Sequence, residues 1–200
     1  MRKGDFDIVT QALGAAQVIA IAGDLDEAPG DWLSDDRLLV MEWLANGATS
    51  IFLSGPEGSD RTPLVTGPFS KGYPRVSPDG RWLALCANPS GGYSVNVRRL
   101  EGTGGLQHLA PAEGECTVRW SAGTKELVYI RGTALVAMAY EERSGRLEVV
   151  RTTTLATLPP RSELYGVSQD GQRVLVGIPA SPPPATPGIR VIVNGIGALR

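Results

Sequence analysis

The chain has one histidine, His108, in a segment that reads as an outer strand. A serine triad needs a histidine beside its nucleophile and a multi-histidine metal site needs several, so His108 is read as a surface or structural residue. No G-x-S-x-G nucleophile elbow occurs. Gly102-Thr103-Gly104-Gly105 invites a phosphate-loop reading, but position 107 is Gln and a hairpin replaces the required strand-to-helix setting. Gly67 to Gly72 has Walker-like spacing, yet Lys71 precedes the second glycine instead of following it. Asp24, Asp26, Glu27 and Asp31 could offer oxygens to calcium, but Ala28 and Pro29 take up loop positions that a calcium hand needs for ligand and glycine. The glycine-rich loop, His-Arg-Asp loop and Asp-Phe-Gly of protein kinases are absent. No catalytic residue, cofactor-binding residue, metal ligand or cofactor is assigned, and the chain is read as non-enzymatic. One pairing remains: Ser77-Pro78-Asp79-Gly80 holds a hydroxyl and a carboxylate together.

That pairing belongs to a repeat. Aligned on Asp79, its counterparts are Asp35, Gly123 and Asp170, at intervals of about 44 to 47 residues, a period typical of propeller blades. Leu33 replaces the serine in one copy and Gly123 the aspartate in another, so the motif is a turn before it is a site. Proline presets a type I turn, aspartate tolerates the next position, and glycine takes the left-handed conformation. At that last position Asp36, Thr124 and Gly171 stand for Gly80; threonine adopts it poorly, so the third turn is expected to use Gly123 instead.

Each turn leads into a strand that is apolar on both sides: Leu38 to Met41, Trp82 to Leu85, Leu127 to Tyr129 and Val174 to Val176. A sheet with one wet face would alternate, so these strands have packing partners on both faces. Trp32, Val76, Trp120 and Val167, three residues before the aligned position, are expected to form a recurrent layer between blades. The fold class is all-β: a β-propeller of about four four-stranded blades plus a partial N-terminal blade, an open or incomplete ring. The whole chain, 1–200, is one partial propeller, with outer strands of an incomplete blade at 5–22 and blades at 31–66, 73–110, 116–158 and 164–196. Val9 to Ala22 also has helix-forming composition, and Asp24 to Gly30 reads as a loop. Pro179 to Gly188 is a stiff, proline-rich connection, read as solvated and less readily as a ligand for a proline-recognising module.

Composition agrees. The 25 glycines and 15 prolines exceed average usage of roughly 7% and 5%, as many tight turns require. With 19 Lys and Arg against 21 Asp and Glu there is no basic footprint for a nucleic-acid partner. No run reaches the roughly 18 apolar residues of a membrane span. Asp5, Asp7, Gln11 and Gln17 spoil an N-terminal stretch that otherwise imitates a secretory signal. Cys86 and Cys116 lie in different repeats without a C-x-x-C pairing and are expected as buried free thiols.

Val76-Ser-Pro-Asp-Gly-Arg-Trp-Leu-Ala-Leu85, followed by Asn88-Pro-Ser-Gly-Gly-Tyr93 and Val95-Asn-Val97, resembles the WD-like repeat of TolB-type β-propellers. The order of elements, ending in Ile189-Arg-Val-Ile-Val-Asn194, is also similar to the propeller at the C-terminus of many bacterial serine/threonine kinases of the eukaryotic type. The resemblance departs at Asp36 and Thr124, and Gly195-Ile196-Gly197 replaces an aromatic-rich ending. Such propellers close with about six or more blades, so the resemblance implies part of a longer protein, completion by self-association, or closure by the N-terminal strands. It implies a non-catalytic binding or scaffolding module for a protein, peptide or small ligand, in a sensor or kinase-linked protein and in a periplasmic or extracytoplasmic setting. The alternative is a gating or accessory propeller of a serine peptidase or other hydrolase.

Overall fold

A computed structural model describes residues 8–10, 18–21, 25–114, 116–179 and 190–193. These contain no helix. The strands are β1 (Ile8–Thr10), β2 (Val18–Ile21), β3 (Glu27–Trp32), β4 (Leu38–Trp43), β5 (Thr49–Ser54), β6 (Thr62–Val65), β7 (Lys71–Val76), β8 (Trp82–Ala87), β9 (Ser94–Arg99), β10 (Gln107–Pro111), β11 (Val118–Ser121), β12 (Glu126–Arg131), β13 (Ala134–Arg143), β14 (Arg146–Thr157), β15 (Glu163–Val167), β16 (Arg173–Gly177) and β17 (Arg190–Val193). They form antiparallel meanders β3–β6, β7–β10 and β11–β14, a three-stranded sheet β15–β17 and a hairpin β1–β2. Strands β1 and β2 occupy part of the stretch for which helix was the alternative. The proline-rich connection and the residues after Val193 lie outside the described residues.

The first strand of each sheet is innermost: β3 packs on β7, β7 on β11 and β11 on β15, so the sheets fan out as blades around an open arc. The second strand of each blade alternates between two interfaces. Leu39 packs with Leu83 and Leu85 between the first two four-stranded blades. Trp82, Ala84 and Cys86 pack with Leu127 and Tyr129 between the second and third. Val128 and Ile130 meet Val174 and Val176 in the next interface. On the far side Leu38 and Val40 meet Ile8 and Ile21 of the β1–β2 hairpin. The last blade ends the pattern: Leu175, between two buried valines, is 36% exposed.

The inter-blade layer is largely as expected, since Val76, Trp120 and Val167 each pack toward the preceding blade. Trp120 also donates its indole N–H to the Arg75 carbonyl at 2.9 Å and sets its ring edge-on to Tyr140 at 5.4 Å. Trp32 is the exception, 56% exposed. Among the described residues only the short β1–β2 hairpin precedes β3, so no inner strand covers that face.

The recurrent turn closes as its residues dictate. Gly80, Asp36 and Gly171 have φ of 71°, 65° and 70°. The Ser77 hydroxyl donates to Asp79 at 2.5 Å and accepts the Trp82 N–H at 2.9 Å. Ser168, Asp170 and Arg173 repeat those bonds. Partial burial raises the Asp79 pKa, but the Ser77 hydroxyl and Arg81 outweigh it and hold the carboxyl below its usual range. The third turn corrects the expectation: Lys125, not Gly123, takes the positive φ, 52°. Gly123 serves a close approach instead, because a Cβ there would stand 2.9 Å from the Gln169 carbonyl oxygen of the next blade's turn.

Glu27–Trp32 is strand β3, not loop. Gly30 is needed there because a Cβ would meet Pro74 at 2.9 Å, so the glycine reflects close packing of β3 on β7. Cys86 and Cys116 are buried but joined in a disulfide with Cα atoms 5.7 Å apart. Stacking of the second and third blades brings together residues whose separation of 30 in sequence concealed their contact.

Candidate functional site: a cleft at the axial mouth

At the end of the inner strands opposite the Ser77–Gly80 turn lies a cleft of about 650 Å³. Gly47, Ser70 and Tyr93, from the loops joining β4 to β5, β6 to β7 and β8 to β9, help to line it, and the disulfide forms part of its wall. Inner strands supply Tyr73 and Arg75 (β7), Arg119 (β11) and Tyr165 (β15), and β4 supplies Trp43. Tyr73, Tyr165 and Trp43 are exposed large apolar groups. Tyr73 has φ of 53°, a conformation that bulky residues hold only where their surroundings impose it. The irregularity between Gly72 and Arg75 in the β7–β8 pairing places it there.

The arginines are fixed by main-chain carbonyls. Arg75 donates through Nη1 to Gly30 at 2.5 Å and Pro74 at 2.8 Å; Arg119 donates through Nε to Tyr165 and through Nη1 to Val118, both at 2.8 Å. These bonds tie β7 to β3 and β11 to β15. Burial, then the nearby Arg75 charge, pulls the Arg119 pKa down to about 10, with Tyr73 and Asp31 opposing. Burial likewise lowers Arg75, opposed by Asp31. Lys71 lines the same cleft but is spoken for: its ammonium donates to the carbonyls of Thr49, Gly67 and Phe69 and lies over the Phe69 ring at 4.1 Å. Among the described residues no carboxylate lines the cleft.

Of the residues weighed in the sequence, Ala28, Pro29, Lys71, Gly72 and the two cysteines line the cleft, whereas the histidine, the turn serine and the carboxylates fall elsewhere. His108 is exposed on β10, and Ser77 and Asp79 are spent on their turn. Glu27 pairs with Arg61 at 3.5 Å, and Asp31 accepts the N–H groups of Trp32 and Val76; Asp24 lies outside the described residues. The Gly102–Gly105 segment is a connection whose Gly102 carbonyl accepts from Arg98. Sequence reasoning missed the cleft, though a signal existed: Arg75 and Arg119 each stand four residues before the aligned turn position, charged groups recurring in strands that the fold turns toward the axis.

No protein-family model matches the chain, and no curated protein matches it. Solved structures do. TolB from Acinetobacter baumannii superposes with a TM-score of 0.67 at 16% identity over 92% of this chain. The fold is that of a TolB-like β-propeller. The chain spans 45% of the TolB chain's length. A structure from a study of two prolyl endopeptidases gives a TM-score of 0.47 at 15% identity, over 86% of this chain and 30% of that one. The periplasmic gluconolactonase of Pseudomonas aeruginosa gives 0.44 at 18%, over 88% and 58%.

Proposed function

We propose that this propeller is a non-catalytic binding module of a larger sensor or kinase-linked protein, and that it holds an extended peptide segment of a protein partner in the axial cleft. The observation that carries the reading is the cleft itself: an apolar, aromatic rim of Trp43, Tyr73 and Tyr165 around two guanidinium groups fixed by carbonyls. Large rigid side chains at a mouth whose walls are strands offer contact area at small entropic cost, and loops on a repeat scaffold are common binding surfaces. The TolB-like fold supports a protein partner, and the Cys86–Cys116 bridge supports an extracytoplasmic setting, because disulfides persist in oxidising compartments.

Panning random displayed peptides against the whole chain tests this. Peptides should be enriched, and a Trp43→Ala, Tyr165→Ala double variant should lose them. Enrichment unaffected by that variant would remove the cleft from the reading, and turnover of peptide or lactone substrates by the chain would remove the non-catalytic part.

A further inference from the structure

We propose that Arg75 and Arg119 form a carboxylate subsite within the cleft, in which the open edge of Arg75 takes a carboxylate of the peptide ligand with the Arg119 guanidinium beside it. The inference rests on the peptide-binding reading and specifies the chemistry of the ligand. Among the described residues Arg75 donates only through Nη1, which leaves Nε and Nη2, the side-on fork of the guanidinium, without an acceptor there. Among the described residues Arg119 donates through Nε and Nη1, leaving Nη2. Neither arginine has an ion pair among the described residues. Asp31, the acid whose charge reaches both, has each carboxylate oxygen accepting a main-chain N–H: Trp32 at 3.1 Å and Val76 at 3.0 Å.

Two like charges therefore line one cleft, partly desolvated, without an ion-paired counter-anion among the described residues. The arrangement opposes itself electrostatically, since the Arg75 charge already depresses Arg119, and a bound anion would offset it. Lys71 cannot serve that anion, because its ammonium is committed to three carbonyls. The planar Nε–Nη2 edge of an arginine matches the two oxygens of a carboxylate in one plane. The aromatic rim then packs on the residues flanking the acid.

Three probes of the whole chain test the subsite: acetyl-tyrosyl-glycine with a free C-terminus, acetyl-tyrosyl-aspartyl-amide, and neutral acetyl-tyrosyl-asparaginyl-amide. Nitrogen-labelled arginine side chains report binding by NMR. At least one acidic probe should bind about tenfold or more tightly than the neutral one, as a charge-assisted bidentate contact implies, and should shift the Arg75 Nε–H resonance. The preferred acid identifies the source of the carboxylate, a chain terminus or a side chain. Arg75→Lys, which keeps the charge and loses the fork, should abolish the preference while retaining the unfolding transition. Equal binding of acidic and neutral probes overturns the subsite and leaves the peptide-binding reading standing. The subsite also falls if neither acid shifts Arg75, if the preference survives in a folded Arg75→Lys variant, or if inorganic phosphate binds more tightly than either acid. Failure of both the neutral probe and the displayed peptides to bind would overturn the peptide-binding reading itself.

Discussion

The side chains that matter most in this chain are those that cross from one blade to the next. Trp120 fills the interface between the second and third blades, caps the Arg75 carbonyl and braces Tyr140, whose phenol is pushed up to about 12 by burial and by the Asp79 charge. Trp120→Ala removes a large buried group and strands a carbonyl beside the cleft. It should cost about 3 to 5 kcal/mol in a denaturant titration, as other large-to-small core changes do; a loss under about 1 kcal/mol would take Trp120 out of the core. Trp32 occupies the same repeat position but is exposed, so Trp32→Ala should cost much less in the same titration. The contrast isolates what a preceding inner strand contributes, because the residue type is the same at both positions.

At the level of elements, blades are joined by contacts that do not depend on strand pairing. Gln107 on β10 reads the Leu147 backbone of β14 through both ends of its amide, at 2.5 Å and 3.2 Å. Glu142 on β13 accepts from Arg81 at 2.8 Å and Arg99 at 2.5 Å in the blade before it. Thr49 of β5 exchanges hydrogen bonds with the Lys71 backbone of β7. The disulfide is the covalent member of this set, closing a loop over a separation of 30 residues. Replacing both Cys86 and Cys116 by serine should lower unfolding free energy by about 3 to 4 kcal/mol, on the loop-closure scale. Equal stability of the wild-type and double-serine proteins under oxidising conditions would mean that the bridge contributes nothing to the blade interface.

For the whole molecule, the decisive feature is that the arc has two unlike ends. One carries the β1–β2 hairpin over Leu38 and Val40; the other presents Leu175 to solvent on the outward face of β16. Apolar sheet faces and unpaired edges promote association. The chain should therefore run in size exclusion with light scattering above the 21.1 kDa of a single copy, increasingly so with concentration, and Leu175→Glu should shift it back. A single-copy mass at every concentration would show that this end needs no partner.

The repeat near every 44 residues, the turn chemistry of Ser77 to Gly80 and the apolar pairs after each turn could all be read from residue order, because local φ preferences and strand periodicity act over a few neighbours. Those features determined the all-β class and the run of blades. Strand β3 is hidden in the residue order because Gly30 answers to crowding against Pro74 and Leu39, neighbours that only the packed blades supply. The third turn is opaque in the residue order for a similar reason, since Gly123 answers to the adjacent blade's turn and not to its own φ. The disulfide and the cleft belong to the same class: Cys86 and Cys116, or Arg75 and Arg119, meet only when separate blades stack around an axis. The sequence alone determined the all-β class and the repeat of turn and apolar strand, through interactions within a few residues, whereas tertiary structure decided what faces the axis, because that depends on how whole sheets pack.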